Sequence, residues 1–157
     1  MGTIFPCYGP ALSYNRVRMS ELSRIGVAID SDLLEKFDSL IAQRGYTNRS
    51  EAFRDLIRDE LVQKMAESPD SNVVGTVTLV YDHHVRMLND RLIDMQHEAH
   101  RAILSTLHVH LDHDNCLEVL VVRGKAGAVQ KIADALIATK GVKHGRLTIT
   151  TSGAALK

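Results

Sequence analysis

The chain has 157 residues, 45% of them apolar, with 19 basic and 19 acidic side chains that cancel to zero formal charge. This length allows one medium domain or two small ones, and zero net charge excludes nucleic-acid binding by bulk electrostatics alone, though not a dimer with one basic face. No apolar run is long enough to cross a membrane, hydrolase G-x-S-x-G and P-loop motifs are missing, and two cysteines, Cys7 and Cys116, cannot build a disulfide framework, which points to a reducing, cytoplasmic interior.

Residues 1–21 hold Gly2, Pro6, Gly9 and Pro10 without periodicity and lack the apolar core of a signal peptide. A disordered extension is expected there, with Met19 as an alternative start. Residues 24–29 alternate: Ile25, Val27 and Ile29 form an apolar face, and Arg24, Gly26 and Ala28 the other, as in a half-buried strand. Asp30 or Ser31 offers an N-cap to a helix carrying Leu33, Leu34, Phe37, Leu40 and Ile41, which Gly45 closes. Asn48-Arg49-Ser50-Glu51 opens a second helix with an inner stripe of Ala52, Phe53, Leu56, Ile57, Leu61 and Met65. Such a βαα module, residues 22–66, is too small to bury its own core and is expected to dimerise.

Residues 67–72 read as a polar linker. Beyond them a β-branched run over 73–81 predicts a strand, and 85–102 predicts a helix. Strands follow at 106–111 and 116–122, then a helix at 124–139 closed by Gly141, and a last strand at 142–150. The order βαββαβ predicts a ferredoxin-like domain over residues 73–151. Residues 152–157 read as a frayed tail. The fold class is therefore α+β in two modules.

All eight histidines lie between His83 and His144. In a strand, residues two apart share a face, so His108 and His110 present two imidazoles side by side. Asp112 to Asn115 favours a turn, which returns Cys116 alongside them. Two imidazoles and a thiolate suit a transition metal. Against this stands the ordinary reading of a lone strand histidine as a satisfied structural residue; two on one face beside a cysteine shift the balance to a ligand set. A fourth donor is open among His83, His97, His100 and His113. Ligand type suits Zn(II) in a tetrahedron and Ni(II) or Cu(II) in a plane, and it does not choose between them.

The module around Asn48-Arg49-Ser50-Glu51-Ala52 resembles ribbon-helix-helix repressors. Gln96-His97, then His108-Val109-His110, then His113-Asp114-Asn115-Cys116-Leu117-Glu118, and Gly141-Val142-Lys143-His144-Gly145, resemble the nickel-responsive regulator NikR family. The resemblance covers about residues 22–151. It implies Ni(II) held in a plane by His108, His110 and Cys116 with His97 from a neighbouring subunit, and Gln96 and Glu118 orienting these ligands. The same resemblance implies a homotetramer with an ACT-like metal domain, bound to a double-stranded DNA operator and most often repressing nickel-uptake genes. Arg24, Gly26 and Ala28 would face the major groove, Asn48, Arg49 and Ser50 a phosphate at the helix start, and Arg86 the DNA backbone. Gly26 and Ala28 depart from the family, which usually carries Thr or Ser there; this puts the operator sequence in question. Glu51 and Asp55 match positions for a structural cation, or they form a solvated helix face. Three other readings are a Zn, Co or Cu sensor of the same fold, an amino-acid-sensing regulator without metal, and a metal-dependent hydrolase. The last is disfavoured because spacing places no carboxylate as a general base; no catalytic residue is assigned.

Overall fold

A computed structural model of the chain describes residues 23–156. The expected extension, residues 1–21, lies outside these residues, as do Leu22 and Lys157. The N-terminal module holds two helices, α1 (Ser31–Gln43) and α2 (Arg49–Glu67). Helix α1 stops at Arg44, and Gly45 adopts φ +81°, a left-handed backbone that costs glycine little. Helix α2 starts where expected, because the Asn48 side chain accepts a 2.9 Å hydrogen bond from the Glu51 N–H. Phe37 and Phe53 pack with ring centroids 4.8 Å apart, and Ile41 and Ala52 are buried between the helices.

One expectation for this module needs correction. Residues 23–30 form no strand: a strand needs a neighbour to pair its backbone, and none stands beside this segment among the described residues. The inner stripe of α2 is only partly covered, in line with a module too small to bury its own core. Leu56, Ile57 and Leu61 keep 43%, 55% and 47% of their surface exposed, and Ile25 and Val27 are exposed as well. Among the described residues nothing is laid over them.

The C-terminal module is a four-stranded antiparallel sheet of β1 (Asn72–Asp82), β2 (Ile103–His110), β3 (Asn115–Lys125) and β4 (Val142–Thr150), in the order β2-β3-β1-β4. Helices α3 (Leu88–Glu98) and α4 (Ala126–Ile137) cross over between strands and supply Leu88, Leu92, Val129, Ala133 and Leu136 to one core with Val77, Leu79, Leu120 and Val122. This is the expected ferredoxin-like arrangement. The linker is not free: the Gly127 and Ala126 N–H groups donate to the Pro69 and Ser71 carbonyls, which fastens it to the start of α4.

The third helix is shorter than the expected 85–102. Met87 adopts φ 61°, so Val85 and Arg86 fall in a turn that the Asp82 carboxylate opens by accepting from the His84 N–H. After Glu98 the chain makes two tight turns, and the Ile103 N–H returns to the Ala99 carbonyl. Strands β2 and β3 are longer than expected, so α4 begins at Ala126. The tail forms a short 3-10 turn, Ala154–Leu156, rather than fraying throughout.

Strand β4 crosses α4 closely at Gly145. A Cβ there would lie 2.6 Å from Ile137 Cγ1 and 3.0 Å from a Leu79 methyl. Gly145→Val is therefore expected to lower stability by about 1–3 kcal/mol through overpacking, in denaturant titration of metal-free protein. Gly26→Ala, with nothing within 4 Å of the added carbon, serves as the control and should leave stability unchanged.

Candidate metal centre

The buried face of the sheet turns from apolar to polar toward one end. In register, Thr106 stands opposite Leu120, His108 opposite Glu118 and His110 opposite Cys116, while Tyr81 on β1 pairs with Cys116 from the other side. Directly opposed residues share a face. The histidines lie on β2, an outer strand of the sheet, and are exposed; Cys116, one strand inward, is buried.

The Cys116 Sγ lies 3.2 Å from His110 Nδ1 and 3.4 Å from His83 Nδ1, and these three donors fall within 4.8 Å of one another. The His108 and His110 rings are 5.0 Å apart. Burial pushes the Cys116 thiol above its ordinary pKa, and Asp112, Asp82 and Glu118 add to the effect. These effects favour the neutral thiol, so a metal ion binding here must displace its proton. The hairpin behind Cys116 is fixed by Asp112, whose carboxylate accepts from the Asp114 and Asn115 N–H groups and from the Asn115 amide. The Asn115 amide and these N–H groups hold Asp112 below the usual carboxylate range.

A chain of hydrogen bonds backs the site. Thr106 donates to Gln96 (2.9 Å), Gln96 donates to Glu118 (2.6 Å), and the Tyr81 hydroxyl donates to the other Glu118 oxygen (2.9 Å). With its O–H pointing to Glu118, the Tyr81 oxygen can only accept from His108 Nδ1, 3.3 Å away. This fixes the His108 tautomer and leaves the Nε2 lone pair for a ligand. Glu118 is buried, and burial followed by the Glu118 hydrogen bond raises the Tyr81 pKa. The sequence pointed to Gln96 and Glu118 but not to Tyr81. Its signal was faint: a single polar residue ending the inward-facing series Val73, Val77, Leu79 of β1.

The structure therefore brings His110, Cys116 and His83 together, with His108 beside them. His97 lies exposed in the last turn of α3, its carbonyl facing His100 Nδ1 at 3.0 Å, and it does not join this cluster within one chain. His113 groups instead with His84 and Asp114.

At the other module, Arg24, Gly26 and Ala28 are exposed, and Ser50 lies exposed in the first turn of α2. Asn48 is the α2 cap, and Arg49 makes two 2.6 Å bonds to the Asp38 carboxylate. Arg86 is exposed. Glu51 pairs with Arg54, and Asp55 accepts from Arg58 (2.7 Å) and the Tyr46 hydroxyl (3.0 Å). These two carboxylates are thus engaged by arginines within the chain.

A helix pair joined to a ferredoxin-like sheet whose end gathers a cysteine and imidazoles defines a class: two-module proteins in which a helical module accompanies a metal-binding domain. Residues 23–64 match the ribbon-helix-helix protein, copG family, and residues 74–150 match the NikR C terminal nickel binding domain. A protein of Solibacter usitatus named as a nickel-responsive regulator is 79% identical over 139 residues, covering 88% of this chain and all of that protein. Proteins of the same name from Geobacter sulfurreducens and Caldanaerobacter subterraneus are 63% and 55% identical, over 86% and 83% of this chain and 97% and 84% of theirs. The chain belongs to the nickel-responsive regulator family. No helix among the described residues is long and apolar enough to cross a membrane.

Proposed function

We propose that this protein is a nickel-responsive, DNA-binding transcriptional regulator, a cytoplasmic homotetramer that represses nickel-uptake genes and catalyses no reaction. The observation that carries the reading is the thiolate and imidazole cluster at the open edge of the sheet. Its donor set fits Ni(II): one soft thiolate and imidazoles, with no ring of carboxylates that would favour Mg or Ca. His108, His110 and Cys116 of one copy would hold the ion with His97 of a second, and Gln96, Glu118 and Tyr81 would orient the ligands. Residues 22–66 would form the DNA-binding domain, 67–72 the linker and 73–151 the metal-binding and tetramerisation domain.

Assembly is supported by apolar surface that one copy leaves bare. On the outer face of β2, Leu107 and Val109 are 60% and 38% exposed, and contiguous apolar surface of this kind favours an interface. In the N-terminal module, Ile25 and Val27 would gain cover when the extended segment pairs with that of a second copy. This pairing would make the two-stranded ribbon that presents Arg24, Gly26 and Ala28 to the major groove. Sharing of ligands between copies would draw the metal domains into one arrangement and so set the spacing of two ribbons. That is a coupling free energy between two sites.

A second arrangement is favoured by the His83 contact: the ion would be held by His83, His110 and Cys116 within one chain. Mixed tetramers separate the two. His97→Ala and His108→Ala variants are each expected to lose tight nickel binding, and mixing them should restore a fraction of the sites, because some pairs of copies recombine all four donors. Nickel titration of the separate and mixed variants checks this. A His97→Ala variant with undiminished affinity would show that the site is completed within one chain.

A further inference from the structure

We propose that the cleft between α3 and α4 binds a free α-amino acid with an apolar side chain. The cleft encloses about 360 Å³ and is lined by Met95 and Glu98 of α3, Ala99 at its end, and Lys131, Ile132 and Ala135 of α4. That volume falls within the range of roughly 300–1,000 Å³ usual for small-molecule sites. Residues three and four apart share one face of a helix, so each helix turns an apolar strip and one charge toward the cleft.

The two helices run antiparallel. At one end the Thr139 hydroxyl donates to Met95 Sδ at 3.5 Å, and at the other the Arg123 N–H donates to the Ala102 carbonyl at 2.8 Å. Glu98 and Lys131 therefore stand at the same end of the cleft, and the apolar floor runs from them toward Met95. An α-amino acid has this layout: an ammonium and a carboxylate on one carbon, and a hydrocarbon side chain leading away. Lys131 takes the carboxylate. Glu98 takes the ammonium, aided by the negative carbonyl end of α3. Both side chains are exposed, and among the described residues neither is held in an ion pair. A ligand with a single charge would leave one of them unmatched. Contact of the ligand's side chain with Met95, Ile132 and Ala135 supplies the hydrophobic part of the binding. Glu98 follows His97 in the chain, so an occupant rests against the turn that carries this candidate nickel donor.

This inference goes beyond the proposed function and does not depend on it. The test is methyl NMR of the full, metal-free chain titrated with L-leucine. The comparison ligands are N-acetyl-leucine, which lacks the ammonium, and leucinamide, which lacks the carboxylate. Leucine is expected to produce saturable shifts at the Met95, Ile132 and Ala135 methyls. Either comparison ligand, and either of Glu98→Gln and Lys131→Gln with leucine, should bind more weakly by up to about fivefold, the size of an exposed ion pair. Ala135→Trp fills the cleft from an exposed position and should abolish the shifts, with the rest of the spectrum as a check on folding. No saturable shift at these methyls, the result if a second copy covers the cleft, overturns the proposal. Equal affinity for leucine and both comparison ligands also overturns it, because the groove would then read hydrocarbon alone.

Discussion

Cys116→Ala is expected to abolish the sulfur-to-nickel absorption band and to lower affinity at the main centre by more than the 10–100-fold typical of losing a partner behind a ligand. The thiolate is the one soft donor in the cluster, and no other described side chain near His110 can supply sulfur. Acidity enters through the same residue. Burial and three nearby carboxylates hold the metal-free thiol above its ordinary pKa, so metal binding must expel a proton that the fold retains. Affinity should therefore fall as pH falls, with imidazole protonation adding to the loss. In Cys116→Ala the thiol's share of that pH dependence should vanish. Spectroscopic titration at several pH values checks both statements, and a variant with wild-type affinity and spectrum would refute the assignment.

Arg24→Ala is expected to remove most sequence preference in DNA binding while sparing nonspecific binding. Arg24 is the one residue of the outward triad with a side chain able to donate to a base; a bidentate pair with guanine contributes on the order of 1–3 kcal/mol of discrimination. Gly26 offers no side chain and Ala28 only a methyl. What remains is the phosphate attraction of the α2 N-terminus, with Arg49 contributing only if it exchanges its Asp38 partner for a phosphate. That residue of binding should be salt-sensitive. Gly26→Thr with Ala28→Thr should change the selected operator. Unbiased site selection at one salt concentration decides: an Arg24→Ala protein that selects the wild-type motif with equal discrimination would show that the ribbon face is not the reader.

What the sequence made legible was governed by local rules. The Asn48 cap and Gly45 turn bounded α1 and α2, the 142–150 run gave β4 to the residue, and strand alternation put His108 and His110 on the face that holds Cys116. What it hid depends on partners distant along the chain. Ile25, Val27 and Ile29 show a strand's pattern, but pattern does not supply the backbone that a strand must pair with. The left-handed Met87 cuts the expected helix short, and nothing in methionine's chemistry announces such a conformation. The contacts of Cys116 with His83, and of Tyr81 with His108 and Glu118, follow from the register of β1 against β3, which no local motif encodes. His97 remains apart from the cluster for the same reason: if it is a ligand, its partners lie in another copy.

Coupling of nickel binding to DNA binding is tested most directly by the affinity of the full chain for its selected duplex with and without nickel. Fluorescence anisotropy of the labelled duplex, at fixed salt and with bound nickel counted in the same samples, provides it. Coupling of the usual size, 1–3 kcal/mol, corresponds to about 5–150-fold. Nickel should tighten specific binding within that range or beyond it, and the duplex should tighten nickel binding by the same factor. Equal affinity with and without stoichiometric nickel would contradict the account.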